Sequence, residues 1–174
     1  NMSVKTELTD LTQVMEKLRS ETFVDKSKMS LFGASQGGVV ASLYAAAYPD
    51  SVHKLLLIFP AFVLFDDAKA TYHELGSPDF DQLPDSLTHH NTTLGKIYLI
   101  DALDIDIRAE QAKITTPTLI IHGTDDAVVP YQYAVQASQT IPNAELVTVE
   151  GGEHRIDERF AITAAPAIQK FLKE

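Results

Sequence analysis

The chain has 174 residues, 45% of them hydrophobic, and a formal net charge of −10, which is enough to bury the core of one globular domain. The acidic excess is spread along the sequence without a basic stripe, so nucleic acid is disfavoured as a partner. Cysteine is absent, and with it disulfides, thiolate metal sites and thiol catalysis. No apolar run approaches the roughly 18 residues of a membrane span, and no signal peptide opens the chain, so a soluble, cytoplasmic protein is expected.

Between Ser3 and Glu21, the residues Val4, Leu8, Leu11, Met15 and Leu18 recur at helical spacing with charges between them. They predict an amphipathic helix, placed at roughly 12–19, lying on one face of a sheet. A strand follows at 29–32. Gly33-Ala34-Ser35-Gln36-Gly37-Gly38 comes next and opens a helix over 39–48, the strand–turn–helix setting that a G-x-S-x-G nucleophile elbow requires. Small residues are needed two before and two after the serine, where strand and helix backbones approach, and Gly33 and Gly37 meet that need. Tyr48-Pro49-Asp50 ends the helix. The next strand, 54–59, is apolar almost throughout, as in a parallel sheet covered on both faces.

From Pro60 to Thr116 the chain is polar and aromatic, far longer than the dozen or so residues of a plain crossover. An insertion there is expected to form a lid or substrate pocket. Residues 117–122 make a short apolar strand that empties into Gly123-Thr124-Asp125-Asp126. A helix over 131–140, a strand over 144–149 ending at Glu150-Gly151-Gly152-Glu153-His154, and a helix over 158–173 complete the chain. The class is α/β, a mostly parallel sheet with flanking helices and an inserted cap between two strands, as one domain over 1–174.

Three candidate residues follow in the order Ser, Asp, His, each at the carboxyl end of a predicted strand. Ser35 is the nucleophile, and the Gln36 amide faces the developing oxyanion. Asp126 is chosen as the acid, with its neighbour Asp125 open on chemistry alone. His154, on a Gly-rich loop, is the general base. The other five histidines compete poorly: His53 follows a helix end, His73, His89 and His90 fall in the insertion, and His122 precedes the acid, out of order. The chemistry calls for no cofactor and no metal.

Gly33 to Ser42, Tyr48-Pro49-Asp50, Thr93-Leu94-Gly95 and His122 to Asp126 together resemble the α/β-hydrolase superfamily, and more narrowly the bacterial cinnamoyl (feruloyl) esterases. The resemblance implies that Ser35, Asp126 and His154 match that family's triad. It also implies a cap, about 60–116, in which Asp67 and Tyr98 fall where the family binds the phenolic hydroxyl of a hydroxycinnamate. Glu74 stands where a glutamine would be expected. Such hydrolases normally place four strands before the helix leading to the elbow strand, with a second oxyanion amide among them. Here 34 residues precede Ser35, so the amino-terminal strands, about 70 residues of the usual fold, are expected to be missing. Strand 29–32 would then be an exposed apolar edge.

The expected function is therefore serine carboxylic-ester hydrolysis of a small-molecule ester through an acyl-enzyme. The expected partner state is a homodimer or completion by the amino-terminal segment. Two alternatives stand beside the esterase: another acyl hydrolase on the same fold, such as a thioesterase or serine peptidase domain, and an inactive hydrolase-fold binding module.

Overall fold

The computed structural model describes residues 2–89 and 92–173; His90 lies outside them. The order is α1 (Val4–Ser20), β1 (Leu31–Ala34), α2 (Gln36–Ala47), β2 (Leu55–Ile58), α3 (Leu64–Glu74), β3 (Ser86–His89), β4 (Thr92–Gly95), α4 (Lys96–Leu103), α5 (Ile107–Gln111), β5 (Thr118–Gly123), α6 (Gln132–Thr140), β6 (Ala144–Val149) and α7 (Glu158–Lys173). Short 3-10 turns follow α2 at Pro49–Ser51 and α3 at Phe80–Gln82.

Four strands pair in parallel in the order β1-β2-β5-β6. In-register pairs such as Ala34 with Ile58, Ile58 with Ile121, and Gly123 with Val149 bring the carboxyl ends of the strands to one edge. Loops that follow parallel strands therefore converge there, which is where open α/β sheets hold their sites. Successive residues of a strand face opposite ways. Leu55, Leu57 and Ile120 pack into a core with residues of α1, α2 and α6, while Leu56, Ile58, Leu119 and Ile121 pack with Phe160 and Ala164 of α7. Both faces are covered, which is why β2 and β5 read as unbroken apolar runs.

The helix expected at 12–19 begins at Val4, where Ser3 caps it, and the two elements beside Ser35 also differ from the sequence reading for physical reasons. β1 lies over 31–34 rather than 29–32, because backbone pairing continues through Gly33 and Ala34 after the side chains stop being large. α2 begins at Gln36, three residues ahead of the expected start, with Gly37 and Gly38 inside its first turn. Residues Gly38 to Ala46 are all buried, so this helix has no polar face to betray its period.

Among the described residues β1 pairs with β2 alone, and Phe32 on it is 58% exposed. This is the strand edge anticipated from the sequence. The Pro60–Thr116 segment holds α3, the antiparallel β3–β4 hairpin, α4 and α5. α4 is tied to the start of α1: Ser3 caps that helix through a capping box with Thr6, and its hydroxyl also donates to the buried carboxylate of Asp101. Lys5 pairs with Asp104 at the end of α4. Among the described residues no helix is long and apolar enough to cross a membrane.

Candidate active site

Ser35 joins β1 to α2 with φ 50°, a left-handed conformation that a non-glycine residue rarely holds. Such strain costs about 1–3 kcal/mol and persists only where the surroundings over-determine it. Here the Ser35 amide donates to Ile58 O, and the Ser35 carbonyl accepts from the Gly38 and Ala61 amides, each at 3.0 Å. A Cβ on Gly33 would strike the Gly37 carbonyl group, which explains the need for glycine there. The second glycine requirement falls one residue later than the sequence reading placed it. A Cβ on Gly37 would meet nothing within 4 Å, whereas one on Gly38 would come within 2.9 Å of the Pro60 side chain. Gln36 heads α2, where amides lack an intrahelical acceptor and the helix dipole favours negative charge.

The acid loop and the histidine loop are built against each other. A Cβ on Gly123 would strike the Gly152 backbone, so β5 and the loop after β6 touch main chain to main chain. The Asp125 amide donates to Gly152 O at 2.9 Å, and the Gly151 amide donates to Thr124 Oγ1 at 2.8 Å. Asp126 is buried, and its Oδ1 accepts from the amides of Val128 and Val129 at 2.9 and 2.8 Å. Its Oδ2 lies 2.7 Å from His154 Nδ1, and His154 Nε2 lies 3.0 Å from Ser35 Oγ. The three candidate residues thus form one continuous chain of hydrogen bonds. Asp125, open as an alternative acid in the sequence, is exposed and accepts from the Thr124 hydroxyl instead.

Two residues that sequence order passed over also touch this chain. The Phe59 ring lies tilted against His154 with centroids 4.4 Å apart and meets Phe160 edge-on at 5.5 Å. Phe59 itself has φ 34°, so the bend after β2 that delivers this wall is strained. His122, set aside as out of order, is completely buried with Nε2 3.3 Å from Asp126 Oδ2. Burial pushes its pKa down, against the opposing pulls of the Val129 carbonyl and the Asp126 charge, so the ring is neutral at neutral pH.

Ser35 and Gln36 form part of the wall of a cavity of about 490 Å³. The Pro60–Thr116 segment supplies most of the rest, including Leu64, Asp67, Leu87, Leu94 and Tyr98. Asp67 and Tyr98 therefore share one cavity with Ser35, each half-buried. Tyr98 Oη donates to Gln36 Oε1 at 2.6 Å, and Gln36 Nε2 donates to Glu7 Oε2 at 2.7 Å. Burial, helped by the Glu7 charge, raises the Tyr98 pKa to about 12, so the phenol keeps its proton. Glu74 is exposed at the end of α3 and is not among the residues lining this cavity. Nothing in the local sequence pairs Glu7 with Gln36, which are 29 positions apart; only the docking of α1 beside α2 does.

A parallel sheet flanked by helices, with a serine elbow and acid and histidine loops at the strand ends, defines an α/β-hydrolase. The chain belongs to the prolyl oligopeptidase family, whose model matches residues 3–174. The solved structure of Est1E from Butyrivibrio proteoclasticus with ferulic acid bound is 29% identical, with a TM-score of 0.86 over 99% of this chain and 69% of that one. AB hydrolase superfamily protein YisY of Bacillus subtilis is 29% identical over 157 residues, covering 71% of this chain and 59% of that protein. Monoacylglycerol lipase ABHD6 of Rattus norvegicus is 25% identical over 198 residues, covering 88% of this chain and 59% of that protein. The chain spans between 24% and 59% of the length of the curated relatives it matches.

Proposed function

We propose that this chain carries the catalytic centre of a serine carboxylic-ester hydrolase that works through an acyl-enzyme. The observation that carries the reading is the unbroken Ser35–His154–Asp126 chain, 3.0 and 2.7 Å, opening into the cavity. His154 Nε2 takes the Ser35 proton as Oγ attacks the acyl carbon, and the Gln36 amide steadies the oxyanion. The tetrahedral intermediate collapses with breakage of the C–O ester bond, and the alcohol leaves with the proton held by His154. Water, deprotonated by the same imidazole, then attacks the acyl-Ser35 ester and frees the acid. Asp126 keeps the Nδ1–H tautomer in place throughout and stabilises the transient imidazolium.

The proposed acyl group is a hydroxycinnamate. The cavity joins apolar walls that suit an aromatic ring to two polar groups, Asp67 and Tyr98, in the same lining as Ser35. The likeness to Est1E, solved with ferulic acid, supports the same reading. Because Tyr98 already donates to Gln36, a phenolic hydroxyl would donate its own proton to Asp67 or to Tyr98 Oη. The hydroxyl would add a hydrogen bond to Asp67 or Tyr98 that a bare cinnamate ring cannot make, so the cavity should favour acyl groups that carry it. The test is the ratio of kcat/KM for a p-coumarate ester over the cinnamate ester lacking the hydroxyl. The ratio should exceed about 10 in the wild type and collapse towards one in Asp67→Ala with Tyr98→Phe. An unchanged ratio in the double variant would leave the esterase reading without its acyl specificity.

The family match favours a second reading, an acyl hydrolase acting on peptides. The same purified protein should turn over the hydroxycinnamate ester faster than any short peptide amide of matched acyl size. The opposite preference would exchange the two readings.

A further inference from the structure

His122 occupies the next-to-last position of β5, with its ring wholly buried. Its Nε2 faces two oxygens, Val129 O at 2.9 Å and Asp126 Oδ2 at 3.3 Å. Neither can donate, so Nε2 carries the proton. Nδ1 is buried and has no hydrogen-bond partner among the described residues, as befits the unprotonated nitrogen of a neutral ring. The oxygen that faces His122 is the same Oδ2 that accepts from His154 Nδ1. The carboxylate's other oxygen holds the amides of Val128 and Val129. One N–H therefore closes the 126–129 turn through the Val129 carbonyl and touches the shared carboxylate oxygen.

We propose that His122 is a positioning residue for the Asp126–His154 pair. Its neutral Nε2–H fixes the turn that aims Oδ2 at His154 Nδ1, and it draws off part of the negative charge that Oδ2 presents to His154. The proposal rests on the serine acyl-transfer reading above. The groups facing the ring are Asp126 on its own loop, His154 from the loop after β6, and the Tyr131 ring, edge-on at 6.0 Å, whose hydroxyl is hydrogen-bonded to Thr148 of β6. Protonating His122 would bury a cation with one ring nitrogen unpaired, so the folded protein resists it.

His122→Leu removes the donor, whereas His122→Gln retains an amide N–H at about the reach of Nε2. In the leucine variant kcat should fall about 10-fold, the kinetic equivalent of roughly 1.4 kcal/mol, with KM changed less than about twofold. The acidic limb of its kcat/KM profile should move to higher pH, because an unshared Oδ2 holds protonated His154 more strongly. Glutamine should restore most of both. A purely structural role would lower the active fraction and leave the profile in place, and equal losses in the two variants would overturn the proposal. A measurement on the unaltered protein covers the case in which the leucine variant does not fold. In 15N-histidine NMR, His122 should stay a neutral Nε2–H tautomer as pH falls from 8 to 5, with a direct coupling from that proton to an acceptor oxygen. An Nδ1–H tautomer, or a cationic ring at pH 6, would contradict it. Failure of the serine reading shows separately, as a Ser35 that does not react with a phosphonate whatever the state of His122.

Discussion

Replacing Ser35 with alanine should abolish ester turnover, lowering kcat by at least about 10³-fold. The only hydroxyl oxygen within hydrogen-bond reach of His154 Nε2 among the described residues is Ser35 Oγ, so no second nucleophile is placed to take over. The fold should not suffer. The strained backbone at Ser35 is held by main-chain bonds to Ile58, Gly38 and Ala61 that alanine keeps, and alanine bears the same Cβ that serine already carries at φ 50°. Melting temperature and circular dichroism should therefore match the wild type. A folded Ser35→Ala protein that kept most of its activity would remove Ser35 from the mechanism.

The second large effect separates two adjacent carboxylates. Asp126→Asn should cost about 10⁴-fold in kcat, and Asp125→Asn no more than a few-fold. The asymmetry comes from what faces each side chain. In the Asp126→Asn variant the side-chain carbonyl oxygen would stay on the amides of Val128 and Val129, because those donors fix it. The new NH₂ group would then point at His154 Nδ1 and at His122 Nε2, where Asp126 now presents Oδ2. Two donors cannot face each other, so His154 would turn to the tautomer that carries its proton on Nε2 and could not accept one from Ser35. Asp125 is exposed and bonded to the Thr124 hydroxyl, so its amide analogue disturbs only the loop surface. The reverse ranking would move the role of acid to Asp125.

Much of the site was legible because its parts lie where local sequence announces them. A glycine-flanked serine between strand and helix, an acid just past a strand-ending glycine, and a histidine on a Gly-Gly loop are all short-range patterns. Parallel pairing then brings three strand ends together without further instruction. The elements inside the Pro60–Thr116 segment were less legible. α4, with Leu99, Asp101 and Ala102 buried, buries a carboxylate against Ser3 nearly a hundred residues away, a partner that no local period reveals. β1 lies two residues later than its apolar run suggests because its hydrogen bonding outlasts its hydrophobicity. The sequence points to Gly37 rather than Gly38 for the second glycine because the obstacle, Pro60, comes from the next strand's loop. His122 is not legible as part of the site because triad order in the chain says nothing about which side chains share a carboxylate in space.

The central claim, that Ser35 is a nucleophile activated by His154, is tested most directly by reaction with a fluorophosphonate followed by intact mass and peptide mapping. One phosphonyl group should be found, on Ser35, with none in Ser35→Ala and strongly slowed labelling in His154→Ala. A protein that hydrolyses its ester yet leaves Ser35 unlabelled, or carries the label on another residue, would contradict the account.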